Sequence, residues 1–142
     1  MIQLDIAGIP IPLNRPRCTK RGFVYDDQKS SKEQYRWQIR AQYRNQLLLG
    51  PIALDLTFFM PIPKSTSGIR RREMLNGVFY HIKKPDLDNL IKFVGDCLNG
   101  IVFEDDAQIA EIKSKKVYAD RPGTLIRVHS LNEQQKSDEN NL

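Results

Sequence analysis

The chain has 142 residues, 40% of them hydrophobic, with ordinary glycine and proline counts of 8 each. That fits one soluble domain with a modest core and excludes an intrinsically disordered chain. Twenty-two basic against 17 acidic residues give a formal net charge of +5, which favours a polyanionic partner without separating DNA from RNA or an acidic protein.

The charge is uneven. The last eleven residues carry three acids and one lysine, so the body holds 21 basic and 14 acidic residues, or +7. No run approaches the ~20 apolar residues needed to span a bilayer. The start, Met-Ile-Gln-Leu-Asp, has neither the basic nor the apolar stretch of a secretory signal. Cys18 and Cys97 have no disulfide-framework or metal-ligand spacing, so a cytoplasmic protein with reduced thiols is expected.

In chain order, Ile2, Leu4 and Ile6 alternate with Gln3 and Asp5, as in a half-buried strand. Residues 8 to 29 form a basic loop with Asn14-Arg15-Pro16-Arg17 and Lys20-Arg21-Gly22, and room for a short strand at Phe23 to Tyr25. Ser30 with Glu33 makes a capping box that opens a helix running to about Leu48, where Gly50-Pro51 stops it. Tyr35, Ile39, Tyr43 and Leu47 share its apolar side, Trp37 points elsewhere, and Arg36, Arg40 and Arg44 read as a solvated stripe.

Ile52, Leu54, Leu56, Phe58 and Met60 mark a second strand. The next segment, to residue 80, is rich in proline, serine and arginine, and reads as a mobile basic excursion with little fixed structure. Pro85 precedes a helix ending near Asn99-Gly100. Ile101 to Phe103, Ile109 to Tyr118 and Thr124 to Leu131 read as strands. The body, residues 1 to 131, is then one α+β domain: a mixed or antiparallel sheet with two main helices packed on it. A polar tail from 132 to 142 is expected to be disordered.

The run Lys84-Pro85-Asp86-Leu87-Asp88-Asn89-Leu90-Ile91-Lys92, followed by Glu104-Asp105-Asp106, carries the chemistry. On a wheel of ~100° per residue, Leu87, Leu90, Ile91, Val94 and Leu98 face the core. Asp88, Lys92, Gly95 and Asn99 form a separate stripe. Gly95 would let a backbone or ligand approach that stripe closely. Carboxylates suit a hard cation such as Mg²⁺, held by one or two carboxylates plus phosphate oxygens. In a basic protein this points to metal-assisted phosphodiester cleavage.

Each residue also has an ordinary reading. Asp86 after proline suits an N-cap, Asp88 and Lys92 suit a surface ion pair, and Asp105-Asp106 suit a turn. It is the combination of two segments that favours a ligand set.

These residues resemble the RusA family of Holliday junction resolvases of bacteria and their phages. The likeness rests on Lys84 to Leu90 with Lys92, then Asn99-Gly100, then Asp105-Asp106-Ala107-Gln108-Ile109, together with Asn14-Arg15-Pro16-Arg17. It spans roughly residues 1 to 131. The resemblance implies that Asp86, Asp88 and Asp106 bind metal, that Asp105, the first acid of the Asp-Asp pair, is a further metal ligand, and that Lys92 is the catalytic lysine. It further implies a homodimer that nicks a four-way junction symmetrically with Mg²⁺ or Mn²⁺, in DNA recombination and repair, leaving 5′-phosphate ends. The segment from Lys64 to Tyr80 is longer than in compact members.

Arg15, Arg17, Lys20, Lys84, Lys113, Lys115 and Lys116 are the candidate DNA contacts, although a lysine-rich strand also serves as an edge protected from aggregation. A non-cleaving branched-DNA-binding protein is the alternative. A metal-dependent nucleotidyl or glycosyl transferase ranks below it, for want of a glycine-rich phosphate cradle.

Overall fold

A computed structural model describes residues 1–15, 17–25 and 27–132, with the side chains of Arg17 and Tyr25 outside that description. Most of the expected tail therefore lies outside the described residues. Four strands form one mixed sheet: β1 (Ile2–Ala7), β4 (Ile52–Pro61), β5 (Ile109–Ala119) and β6 (Gly123–Ser130), in the order β1-β6-β4-β5. A two-stranded ribbon of β2 (Arg17–Cys18) and β3 (Val24–Tyr25) stands in the N-terminal loop. The helices are α1 (Lys29–Gln42), α2 (Gly68–Leu75) and α3 (Leu87–Leu98). The α+β class with a mixed sheet is as expected.

The alternation of β1 and β4 places Leu4, Ile6, Leu54, Leu56, Phe58 and Met60 in the core with Ile39 of α1 and Leu90, Phe93 and Val94 of α3. Tyr35 and Phe93 meet edge to face with centroids 5.3 Å apart, joining the two helices. β4 and β5 are parallel, and parallel neighbours need a crossover long enough to carry helices. α2 and α3 fill that crossover, which sets the start of α3 near β5. Gly123 pairs with Ala7, and a Cβ there would lie 2.9 Å from the Ile6 carbonyl oxygen, so glycine lets β1 and β6 close.

α1 also shields the outer edge of β1. The Gln38 amide accepts from Ala7 N at 2.8 Å and donates to Ala7 O at 3.2 Å. The Gln42 amide does the same for Asp5, both at 2.8 Å. Two glutamines four apart thus satisfy alternate edge residues and stand in for a neighbouring strand.

Five expectations need correction. The capping box at Ser30 does not form: the N-cap is Gln28, without a side-chain cap bond, and Ser30 lies inside the helix. The Gln28 amide instead accepts from Asn14 N and donates to Pro12 O, both at 2.8 Å. α1 ends at Gln42 rather than about Leu48, because Leu48 leaves helical geometry to donate to Val102 O and bridge Phe103; Leu47 is 40% exposed.

The basic excursion is ordered. Ser67 caps α2 by accepting from Arg70 N, Met74 is buried, and Arg71 pairs with Asp120 at 2.8 Å. Residues 101 to 103 form a turn with isolated bridges rather than a strand. Arg36 is no solvated residue either, since it donates to the Asp96 carbonyl at 2.7 Å and so ties α1 to α3.

Candidate active site

α3 begins after a cis Lys84–Pro85 peptide, with Asp86 as its N-cap. The Asp86 side chain makes no cap hydrogen bond, so its carboxylate is not spent on closing the helix. One turn on, Asp88 and Lys92 are exposed, and the Lys92 ammonium stands 4.0 Å from Asp88 Oδ2. At that separation and exposure the pair contributes little to stability. Both groups remain open to a ligand.

The stripe continues to Gly95 and Asn99, and there it meets the second acidic segment. Asp106 opens a single 3₁₀ turn (Asp106–Gln108) leading into β5. Its Cβ and Oδ2 would lie 3.9 and 4.0 Å from a Cβ placed on Gly95. The close approach expected at Gly95 is thus made by the Asp106 side chain.

Asp105 caps the turn by accepting from Ala107 N, and the Gln108 amide accepts from Glu104 N and Asp105 N, completing a capping box. Gln108 also donates to the carbonyls of Leu48 and Gly50, both at 3.0 Å. That explains how a short exposed turn is held.

The two acids differ. The hydrogen bond to Asp105 holds the Asp106 carboxyl above the usual range, helped by partial burial and by the charges of Asp105 and Asp96. The Asn99 amide opposes this by bonding Asp106. The Asn99 Oδ1 is buried without a partner. Asp105 moves down, first because of its bond from Asp106 and then through the Ala107 amide. One proton shared between close carboxyl groups accounts for the opposite directions.

The expected ligands therefore fall in two halves: Asp88 on that stripe with Asp86 at the cap just before it, and Asp106 with Asp105 at Gly95. Gly95 is seven residues beyond Asp88, roughly 10 Å along the helix axis at the α-helical rise. Among the described residues, no three His, Cys, Asp or Glu side chains gather closely enough to hold a metal ion. The donors are all hard oxygens, which suits Mg²⁺ or Mn²⁺, and either half supplies the one or two carboxylates such an ion takes from protein.

The basic residues divide by face. Lys84 is exposed beside Asp86, on a cavity of about 420 Å³ shared with Pro12, Asn14 and Asn89. Arg15 and Lys20 are exposed on the N-terminal loop, whose Leu13 N donates to Asn89 O at 2.9 Å. The side chain of Arg17 is outside the described residues. Lys113 and Lys115 pair in register with Asp55 and Thr57, and so take the sheet face opposite α3, away from Asp86 and Asp88.

Lys116 pairs with Phe58 on the α3 side, where its ammonium donates to the carbonyls of Lys83 and Pro85. Nothing in the local pattern signals that last arrangement. His81 is buried against Tyr118, 5.2 Å between centroids, and has a structural place. Burial, then the nearby Lys116 charge, lowers its pKa. Cys97 is fully buried, and burial pushes its thiol up to about 12.

Similarity to known proteins follows this geometry. Over 137 residues the chain is 31% identical to a Bacillus subtilis (strain 168) protein described as "Uncharacterized protein YqaN", covering 92% of this chain and 96% of that one. The family model described as Endodeoxyribonuclease RusA matches residues 7–129, which take in the N-terminal loop, both acidic halves, β4, β5 and nearly all of β6. With nearly every described element inside that match, the chain belongs to the RusA family of endodeoxyribonucleases.

Proposed function

We propose that this protein is a divalent-cation-dependent endodeoxyribonuclease that resolves four-way DNA junctions, acting as a homodimer that places paired symmetric nicks. The observation that carries the reading is the stripe on α3. It carries an exposed Asp88–Lys92 pair and, at Gly95, the Asp106 carboxyl, and it follows directly on an N-cap aspartate not spent on the helix.

Asp86, Asp88 and Asp106, with Asp105 beside it, would hold Mg²⁺ or Mn²⁺. Such an ion supplies a nucleophilic water at neutral pH and Lewis-acid polarisation of the phosphoryl oxygen. Lys92 offsets negative charge that grows on the phosphoryl group in the transition state. Asn99 keeps Asp106 oriented along the stripe. Lys84 shares a cavity with Asp86 and would contact a phosphate backbone there, and exposed Arg15 and Lys20 of the N-terminal loop, with Arg17 of the same loop, are assigned with it. Lys113 and Lys115 would serve a more distant arm of a branched substrate.

A non-cleaving branched-DNA-binding protein is the second reading, favoured by the separation of the two acidic halves. Cleavage of a synthetic four-way junction, with linear duplex as control, in Mg²⁺, Mn²⁺ and EDTA separates the two. Paired nicks with 5′-phosphate ends in the junction alone, lost with chelator and in Asp88→Asn while binding persists, are expected. Binding without cleavage in either metal would establish the second reading.

A further inference from the structure

We propose that Lys116 is a positioning residue: its ammonium clamps the backbone just before Asp86 and thereby sets where that carboxylate is presented. The inference rests on the proposed nuclease reading for its consequence in activity, but not for the clamp itself.

The segment from 80 to 85 is laid along the outer side of β5 by successive anchors. Tyr80 bridges Val117, and the buried His81 ring packs on Tyr118. Lys116 then donates to Lys83 O and Pro85 O, each at 2.8 Å. It is the last of these anchors before the N-cap. An ammonium has three donors and no acceptor; with two committed to carbonyls, Lys116 is poorly placed to serve as a free phosphate contact. Its neighbours Lys113 and Lys115 are exposed on the other face, whereas Lys116 is half-buried on the α3 side.

Asp86 needs such a fixture. Its side chain makes no cap bond, and the first helical bond it anchors, Leu90 N to Asp86 O, is long at 3.3 Å. With little holding Asp86 from the helix side, the clamped carbonyls of Lys83 and Pro85 define its position. Without Lys116 those carbonyls lose a charge-assisted partner, and the residues between His81 and Leu87 gain freedom.

The test uses the full chain as wild type, Lys116→Met, Lys116→Gln and Lys116→Arg. Amide hydrogen exchange is followed over residues 83–90, with α1 as internal reference. Faster exchange in that window for Met and Gln, α1 unchanged, and protection restored by Arg are expected. In cleavage, Met should raise the Mg²⁺ needed for half-maximal rate and lower kcat by about tenfold or more, with junction affinity and its salt dependence unchanged.

Exchange like wild type in both Met and Gln, with weaker junction binding and a salt slope reduced by about one phosphate contact, would overturn the clamp and make Lys116 a DNA contact. If Met unfolds, the comparison of Gln with Arg carries the same decision. If the wild type cleaves nothing, the nuclease reading fails while the exchange result still decides the clamp.

Discussion

Gly95→Ala should make the protein more stable and, under the proposed metal-dependent mechanism, a poorer nuclease. Gly95 is buried in the middle of α3, and an added Cβ would sit 3.9 Å from Asp106 Cβ and 4.0 Å from its Oδ2, which is ordinary contact. Nothing must move. Replacing an interior helical glycine by alanine gains up to ~1 kcal/mol, largely by restricting the unfolded chain. For a domain of this size that is about 3 °C in melting temperature.

The same methyl lies against the Asp106 carboxyl and removes water from it. Because desolvation already contributes to raising that group, more of it disfavours the charged form further. Proton and divalent cation compete for the same oxygens, so the Mg²⁺ required for half-maximal cleavage should rise. Thermal melting and a Mg²⁺ titration of junction cleavage, run on the same preparation, measure both effects. A melting temperature below wild type would refute the packing of Asp106 on Gly95. Higher stability with an unchanged Mg²⁺ requirement would remove Asp106 from the proposed ligand set.

Asp106→Asn is expected to stabilise the protein near pH 7 and not near pH 3.5. A carboxyl whose folded value is raised contributes stability below its unfolded value and loses it as pH rises through the folded one. The amide escapes that loss and can still donate to Asp105, whose lowered value makes its own contribution vanish only as pH falls through that value. Because Asp106 is exposed, screening limits the gain to about 0.5 kcal/mol or less. A pH series of denaturant titrations gives the difference, and equal stabilities at pH 7 would refute it. The double variant Gln38→Ala with Gln42→Ala removes four hydrogen bonds from the β1 edge. A loss of about 2 kcal/mol with concentration-dependent association should appear in urea unfolding and light scattering; an unaltered, monodisperse variant would show that the edge needs no shield.

What the sequence by itself determined is local and periodic. The alternation of β1 and β4 and the wheel of α3 were legible because side-chain direction follows from residue count within one element. That periodicity alone placed Asp88, Lys92, Gly95 and Asn99 on one stripe, apart from the core face. The turn at Asp105-Asp106 was legible as a turn, but its seat on Gly95 was not, since it depends on where β5 enters the sheet.

Everything that rests on pairing between distant segments was decided by tertiary structure. α1 stops at Gln42 because the chain to Leu48 makes bonds to residues 102 and 103 that a continuing helix would forgo. The arginine-rich crossover orders into α2 because Met74 finds a core and Arg71 a partner in Asp120. Lys113, Lys115 and Lys116 look alike as a basic run. Parallel register with β4 sends the first two to the open face and turns the third beneath the start of α3, where two backbone carbonyls await its charge. A strand's alternation says that neighbours take opposite faces. Only its partners say which face lies beside the aspartates.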